Sequence, residues 1–397
     1  MIISKIPITS IVALILLISN IPILSSSSIN QESTMGSIII EQDFMAPGDN
    51  SGSRASNFEY HNYSQLTEAL KELNLDYPNL MELYNAQDLY GLPDCRDGYK
   101  IWIVRLTNES DSKLKPEVLY LGGHHGDEAI SIEVPFYFIY YLLENYNNDP
   151  NIKYIIDNRE LYIVPVLNPY GWEHNSRYDG NGEDVNRDYP YGNASDNEAL
   201  TTVGASAVHE LMKTHMFSAA ISWHAGVELI YYAWGTPLHD TGLDESPDDS
   251  AYKSLGKRMS EYGGDYHGQY NYGPANNILY GAEGAWSDYA YAASWDSAGF
   301  DPNHPTGGSR TLAFGVEISN QKKPTTAELG TEIDLYCSPG EVKGYIPKNI
   351  RLGFALAELA QPYIEFQNKS LIPDEVEPGK NLTLTWNIGG AMSIDQT

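Results

Sequence analysis

The 397 residues are 42% hydrophobic and only 19% charged, which supplies apolar material for one large core, or a core with a small satellite, and excludes a disordered chain. Lys and Arg number 24 against 53 Asp and Glu, a formal charge of −29 that opposes binding to nucleic-acid phosphates or anionic lipid. Such acidity reads as a solvated surface, because no acidic block forms a tail.

In chain order, Lys5 precedes an apolar stretch centred on Ile11–Ile18 and then the small polar run Ser25–Ser28, the order of an export signal. Residues 1–27 are therefore expected to be a cleaved signal and the protein to be secreted. A membrane anchor needs about 20 uninterrupted apolar residues, and Pro7, Ser19, Asn20 and Pro22 break this run, so a membrane role enters only if the signal is uncleaved. Asn62, Asn108, Asn193, Asn368 and Asn381 head Asn-x-Ser/Thr sequons that would accept glycans outside the cell. Cys95 and Cys337 are an even count that an oxidising compartment allows to pair.

Residues 28–56 are rich in Ser, Gly and Asn without apolar periodicity and read as a linker, with ordered structure starting at Asn57. Helical spacing over Ser64–Leu73 is followed by strand candidates Lys100–Leu106 and Glu117–Gly123, then by a long helix from Glu128 to Tyr146. Strand Glu160–Leu167, helix Ala205–His215, strand Ser218–Trp223 and helix Asn349–Leu359 continue the alternation. Strands alternating with helices predict an α/β domain over residues 57–365, a mixed β-sheet covered by helices on both faces. Beyond it, Pro373–Asn387 combines a Pro-Gly turn with period-two alternation, so residues 366–397 are read as the beginning of a β-sandwich-like domain, or as a tail.

The chemistry begins where the second strand candidate ends, in GGHHGDE. His125 and Glu128, three apart at a helix entry, can face one point and offer N and O donors to a metal, although a surface His–Glu pair has the same pattern. His224 follows another apolar strand, and loops at the carboxyl ends of strands are where α/β folds build sites. Gly226 beside it leaves room for a metal and a substrate.

With these residues in hand, the chain from about Tyr60 to Tyr363 resembles the zinc metallocarboxypeptidases of the carboxypeptidase A/B type. The likeness extends through NPYG (Asn168–Gly171), NSR (Asn175–Arg177), DVNR (Asp184–Arg187), YGAEGAWSDY (Tyr280–Tyr289) and FGVEI (Phe314–Ile318). By this resemblance His125, Glu128 and His224 bind one Zn2+ per chain, Glu317 is the general base, and Arg177 stabilises the oxyanion. Asn186, Arg187 and Tyr280 grip a C-terminal carboxylate, Asp184 fixes the tautomer of His125, and Ser287 lies at the base of the specificity pocket. An Arg rather than a Lys at position 187 suits bidentate carboxylate recognition.

The implied activity is a zinc-dependent carboxypeptidase acting on peptide or protein C-termini as a monomer. Neither Ser287 nor Gly235, the positions that are acidic in relatives cutting Lys or Arg, carries charge, so neutral C-terminal residues are the expected preference, with Tyr231, Ala275 and Leu279 as pocket walls. Two alternatives stay open: a related zinc amidohydrolase acting on cell-wall peptides or acyl-amino acids, and an inactive binding module. His124, His209, His215 and His239 match nothing in the family and are read as structural or exposed.

Overall fold

The computed structural model describes residues 57–110, 114–191, 199–237, 245–293 and 309–360, together with the backbone of four short strands outside them. Two compact units emerge, Phe44–Pro362 with Gly390–Thr397, and Met1–Asp43 with Tyr363–Gly389. In the latter, Tyr363–Phe366 pairs antiparallel with Trp386–Gly389, and Ile6–Pro7 with Glu375–Val376. Apart from these strands, the expected signal, the linker and most of the expected C-terminal module lie outside the described residues.

The larger unit opens with helix α1 (Tyr63–Asp76), started by a capping box in which Asn62 accepts from the Gln65 amide while the Gln65 side chain returns to the Asn62 amide. Eight strands follow: β1 (Met81–Asn85), β2 (Trp102–Leu106), β3 (Glu117–Leu121), β4 (Glu160–Val164), β5 (Phe217–His224), β6 (Leu229–Tyr232), β7 (Asn271–Pro274) and β8 (Leu312–Glu317). They form one sheet in the order β1-β2-β4-β3-β5-β8-β6-β7. Pairing is parallel for β3 with β4 and β5, for β5 with β8, and for β6 with β7; it is antiparallel elsewhere. The sheet is mixed and helix-flanked, as the alternation of elements predicts.

Between the strands run helices α2 (Ile130–Asn145), α3 (Val203–Thr214), α4 (Asp249–Gly263) and α5 (Trp286–Ala292), and α6 (Tyr345–Leu359) closes the unit. Strand alternation sends Tyr120 of β3 and Trp223 of β5 to one face, where the rings stack at 5.6 Å beside Phe138 of α2. There the Tyr120 hydroxyl donates to the Gly353 carbonyl of α6 at 2.8 Å. Arg159, fully buried at the entry to β4, donates to the carbonyls of Ala357, Glu358 and Ala360, satisfying the C-terminal end of α6.

The opposite face of the central strands carries the chemistry. Cα register aligns Ser222 with Gly315 and His224 with Glu317 between β5 and β8, and Tyr231 with Gly315 between β6 and β8. Aligned residues of adjacent strands share a face, so His224, Glu317, Ser222 and Tyr231 are neighbours by pleat alone. Both cysteines are free thiols: Cys95 meets the Gln87 amide at 3.6 Å and Cys337 the Ile333 carbonyl at 3.5 Å. No helix among the described residues is long and apolar enough to cross a membrane.

Candidate active site

Strand β3 ends at Leu121, and a Gly-Gly turn carries the chain into His125. Here glycine is obligatory: a Cβ on Gly122 would lie 2.4 Å from the Ser131 carbonyl oxygen, and Gly123 has φ +61°. A Cβ on Gly126 would fall 2.0 Å from the Gly171 backbone, so only glycine lets the His125 loop close against the segment carrying Arg177.

Three donors converge. His125 Nδ1 is 2.8 Å from Glu128 Oε1 and His224 Nδ1 is 3.2 Å from Glu128 Oε2, and one donor atom from each residue falls within 4.8 Å of the others. All three side chains are buried. Both imidazoles turn Nδ1 toward the shared point and engage Nε2 behind it, His125 with Asp184 Oδ1 at 3.2 Å and His224 with Ser222 Oγ at 3.1 Å. Two neutral imidazoles and a carboxylate are a donor set that suits zinc, and rear-side partners of this kind orient zinc-binding histidines. Burial alone would raise the Glu128 pKa, but the adjacent His125 and His224 outweigh it and hold the carboxyl well below its ordinary range.

Asp184 caps the short 3-10 turn Val185–Arg187, accepting from the Asn186 amide at 3.0 Å. Its other oxygen receives Arg177 Nε at 2.9 Å and Nη2 at 2.8 Å, a two-point grip that points the guanidinium at the ligands. Arg177 Nη1 then sits 3.3 Å from His125 Nδ1 and 3.8 Å from Glu128 Oε1. Arg187, from the same turn, donates through Nη1 to the Asn186 carbonyl at 2.7 Å and through Nη2 to the Tyr280 hydroxyl at 3.3 Å. Asn186 is fixed by the Trp286 amide, which donates to its Oδ1 at 3.0 Å.

Glu317 ends β8 beside His224. Its Oε2 is buried and has no hydrogen-bond partner among the described residues. Burial first, and then the neighbouring Glu128 carboxylate, push its pKa up to about 8. A buried carboxyl and a half-buried one facing one cluster, the latter with a buried oxygen left unpartnered among the described residues, fit a site completed by a cation.

Ser287 follows Trp286, whose amide holds Asn186. It is buried in the first turn of α5, and the adjacent Asp288 makes the polar contacts there, its Oδ1 and Oδ2 accepting from the Gly235 amide at 3.1 and 3.0 Å. Complete burial pushes the Asp288 pKa up to about 7, with the Gly235 and Thr236 amides opposing. The uncharged pocket positions, Ser287 and Gly235, thus flank a carboxyl group that the sequence reading passed over.

His124, expected to be structural or exposed, is buried within the site. Its Nε2 lies 2.8 Å from the Tyr189 hydroxyl and its Nδ1 2.9 Å from Ser222 Oγ. Lys322 also went unread; its ammonium pairs with Asp127 at 2.6 Å and lies 3.9 Å from Glu128 Oε1.

Comparison with known proteins gives the family and the fold. The zinc carboxypeptidase family profile matches residues 66–331. The chain is 26% identical over 247 residues to carboxypeptidase SOL1 of Arabidopsis thaliana, covering 61% of this chain and 48% of that protein. It is 26% identical over 274 residues to a zinc carboxypeptidase of Saccharothrix mutabilis subsp. capreolus, covering 57% and 60%. The chain thus spans about half the length of the curated relatives it matches. In fold it is similar to the crystal structure of carboxypeptidase A from Helicoverpa armigera, with a TM-score of 0.54 at 17% identity over 80% of this chain and 76% of that one. With the family profile covering most of the chain, the protein belongs to the zinc carboxypeptidase family.

Proposed function

We propose that this protein is a zinc-dependent carboxypeptidase that removes small neutral residues from the C-termini of peptides. One observation carries the reading: the single turn 184–187 supplies both Asp184, which orients His125, and Arg187, which faces Tyr280. Metal site and carboxylate anchor are thereby held at a fixed spacing, the requirement for cutting one bond from a free chain end.

Zinc, when held by His125, Glu128 and His224, supplies Lewis acidity to the scissile carbonyl and to the attacking water. The protein's own groups do the rest. Glu317, whose Oε2 has no hydrogen-bond partner among the described residues, takes the proton of the water and returns it to the departing amine. Arg177, locked by Asp184, offers a guanidinium to the oxyanion as charge develops. Arg187, Asn186 and Tyr280 bind the terminal carboxylate.

The preference for small residues is supported by Tyr231. Its ring occupies the space over Gly315, where even a single Cβ would come within 1.9 Å of the Tyr231 ring carbon Cζ. Tyr231 shares a sheet face with Glu317, and burial first, then the nearby Glu317 carboxyl, raises the pKa of its phenol, with Arg187 opposing. Leu229 and Ala275 pack against it, with Ile278 and Leu279 at the edge, and the nearby Asp288 carboxyl is tied to the Gly235 amide with its pKa pushed up to about 7, which lowers its charge at neutral pH.

The test is hydrolysis of blocked dipeptides ending in Ala, Phe or Lys, with free or amidated termini, with and without a chelator. Expected is fast, chelator-sensitive cleavage of the free Ala-terminated peptide. Equal rates on free and amidated ends would overturn the exopeptidase reading, and chelator-insensitive cleavage the zinc. Export is part of the same proposal, and mass spectrometry of the secreted N-terminus checks it.

A further inference from the structure

Behind the metal-facing side of His224, the contact with Ser222 continues into a chain of hydrogen bonds through His124 and Tyr189, to which no role has been assigned. His224 Nε2 meets Ser222 Oγ at 3.1 Å, Ser222 Oγ meets His124 Nδ1 at 2.9 Å, and His124 Nε2 meets the Tyr189 hydroxyl at 2.8 Å. All four side chains are buried, so no bulk water substitutes for a missing link. The His124 ring also stacks on His224 at 5.3 Å between centroids and 21° between planes, and packs edge-on to Tyr189.

Proton counting gives the chain its meaning. A histidine that binds a cation through Nδ1 carries its proton on Nε2 and needs an acceptor there. Asn186 cannot serve: the Trp286 amide holds its Oδ1, so its Nδ2, a donor, is what faces His224 Nε2 at 3.4 Å. Ser222 remains, but a hydroxyl has a single proton. If that proton points at His224, it favours the tautomer with Nδ1 protonated, which competes with the metal. For Ser222 to accept instead, its proton must find another acceptor, and among the described residues His124 Nδ1 is the one within reach.

We infer that His124 is a positioning residue for the metal centre: by accepting the Ser222 proton, it frees Ser222 to accept from His224 Nε2 and leaves His224 Nδ1 bare for zinc. Imidazole suits this place because it offers one donor and one acceptor, so the chain through Tyr189 closes in whichever direction His224 requires. An apolar side chain of similar bulk fills the same space and breaks that link. Asparagine restores it, since its carbonyl oxygen can take the place of Nδ1.

The inference rests on the metal reading above, and the experiment separates the two. Zinc affinity is measured by competition with a chromogenic chelator for the parent protein, H124L, H124N, S222A and the double variant H124L/S222A. Cobalt-substituted spectra of each report the ligand field, which a general loss of packing does not alter in a graded way. H124L and S222A are expected to weaken zinc binding by about 10- to 100-fold, the usual range for removing a rear-side partner. H124N should stay close to the parent with a parent-like cobalt spectrum, and the double variant should be no weaker than S222A alone. Equal weakening by H124N and H124L, parent affinity in H124L, or additive losses in the double variant would each overturn the role of His124. Should H124L fail to fold, S222A weak beside H124N near the parent supports the inference, and the two moving together overturns it. A parent protein that binds no zinc overturns the metal reading, and this inference with it.

Discussion

Arg187→Ala is the perturbation that most directly separates a carboxypeptidase from a zinc hydrolase of another kind. In the structure the guanidinium spends one N–H on the Asn186 carbonyl at 2.7 Å and another on Tyr280 at 3.3 Å, which leaves the rest of its five donors for a ligand. A hydrogen bond to a charged partner contributes about 1.5–3 kcal/mol. Because the Arg187 side chain is only half-buried, solvent screening discounts each of two bonds to about 1–2 kcal/mol, and about 2–4 kcal/mol is lost on truncation. At about 1.36 kcal/mol per decade, kcat/KM on a free-terminus dipeptide falls roughly 30- to 900-fold. The amidated analogue carries no charge for Arg187 to meet, so its slow hydrolysis changes little and the preference for a free end collapses. Arg187→Lys should fall between, keeping the charge but not the planar fork. The assay is kcat/KM on the matched pair, with thermal unfolding to confirm that the variants are folded. Equal losses on both peptides would mean that Arg187 supports the site structurally, and the terminal carboxylate would need another anchor.

Glu317→Gln keeps the shape of the β8 terminus and removes the base: zinc content by elemental analysis should match the parent while turnover falls about 10²–10⁴-fold, and an active variant would move the base elsewhere. Tyr231→Ala should open the space across Gly315, and since burying a large apolar side chain contributes about 1.5–3 kcal/mol, the ratio of kcat/KM for Phe-terminated over Ala-terminated peptides should rise roughly 10- to 100-fold; an unchanged ratio would place the departing side chain in a different pocket. Asp288 has a pKa raised from an ordinary 3.8 to about 7, so between those values the folded state holds a proton that the unfolded state has lost. Its contribution is complete below about pH 4 and fades as pH rises to 7, on the order of 4 kcal/mol across the window at about 1.4 kcal/mol per unit. Asp288→Asn should flatten that part of a denaturation profile measured from pH 4.5 to 7.5, and an unchanged slope would refute the assigned cause.

What the sequence disclosed and what it withheld divide along a physical line. Apolar runs of central strands are visible because burial on both faces demands them, so Glu117–Leu121, Glu160–Val164 and Phe217–His224 fall within two residues of where their patterns begin, while the last two residues of Glu117–Gly123 and three of Glu160–Leu167 belong to the turns that follow. Met81–Asn85, Leu229–Tyr232, Asn271–Pro274 and the interior Leu312–Glu317 are not picked out as strands by their patterns. Asn271–Pro274 contains a glycine and a proline, which forbid a central strand, and it is tolerated because β7 is the outermost strand. Helix Asp249–Gly263 escaped too: its buried face includes Gly256 and Ser260, and Gly256 is small so that Tyr272 can pack where a Cβ would stand 3.3 Å away.

The site divides in the same way. His125, Glu128, Asp184, Arg187 and Glu317 stand in short motifs because a strand end or a tight turn fixes several of them together, and such local spacing survives in the linear sequence. Ser222, His124 and Asp288 act through what packs against them from elsewhere in the chain, as when the Gly235 amide reaches Asp288 or Tyr189 reaches His124. A serine in an apolar strand carries no mark of its partner. The mark becomes legible only when the register of β5 against β8 turns Ser222 and His224 to the face that Glu317 shares. Functional groups that belong to a motif are therefore found by spacing, and those that tune the motif are found by asking where each buried proton goes.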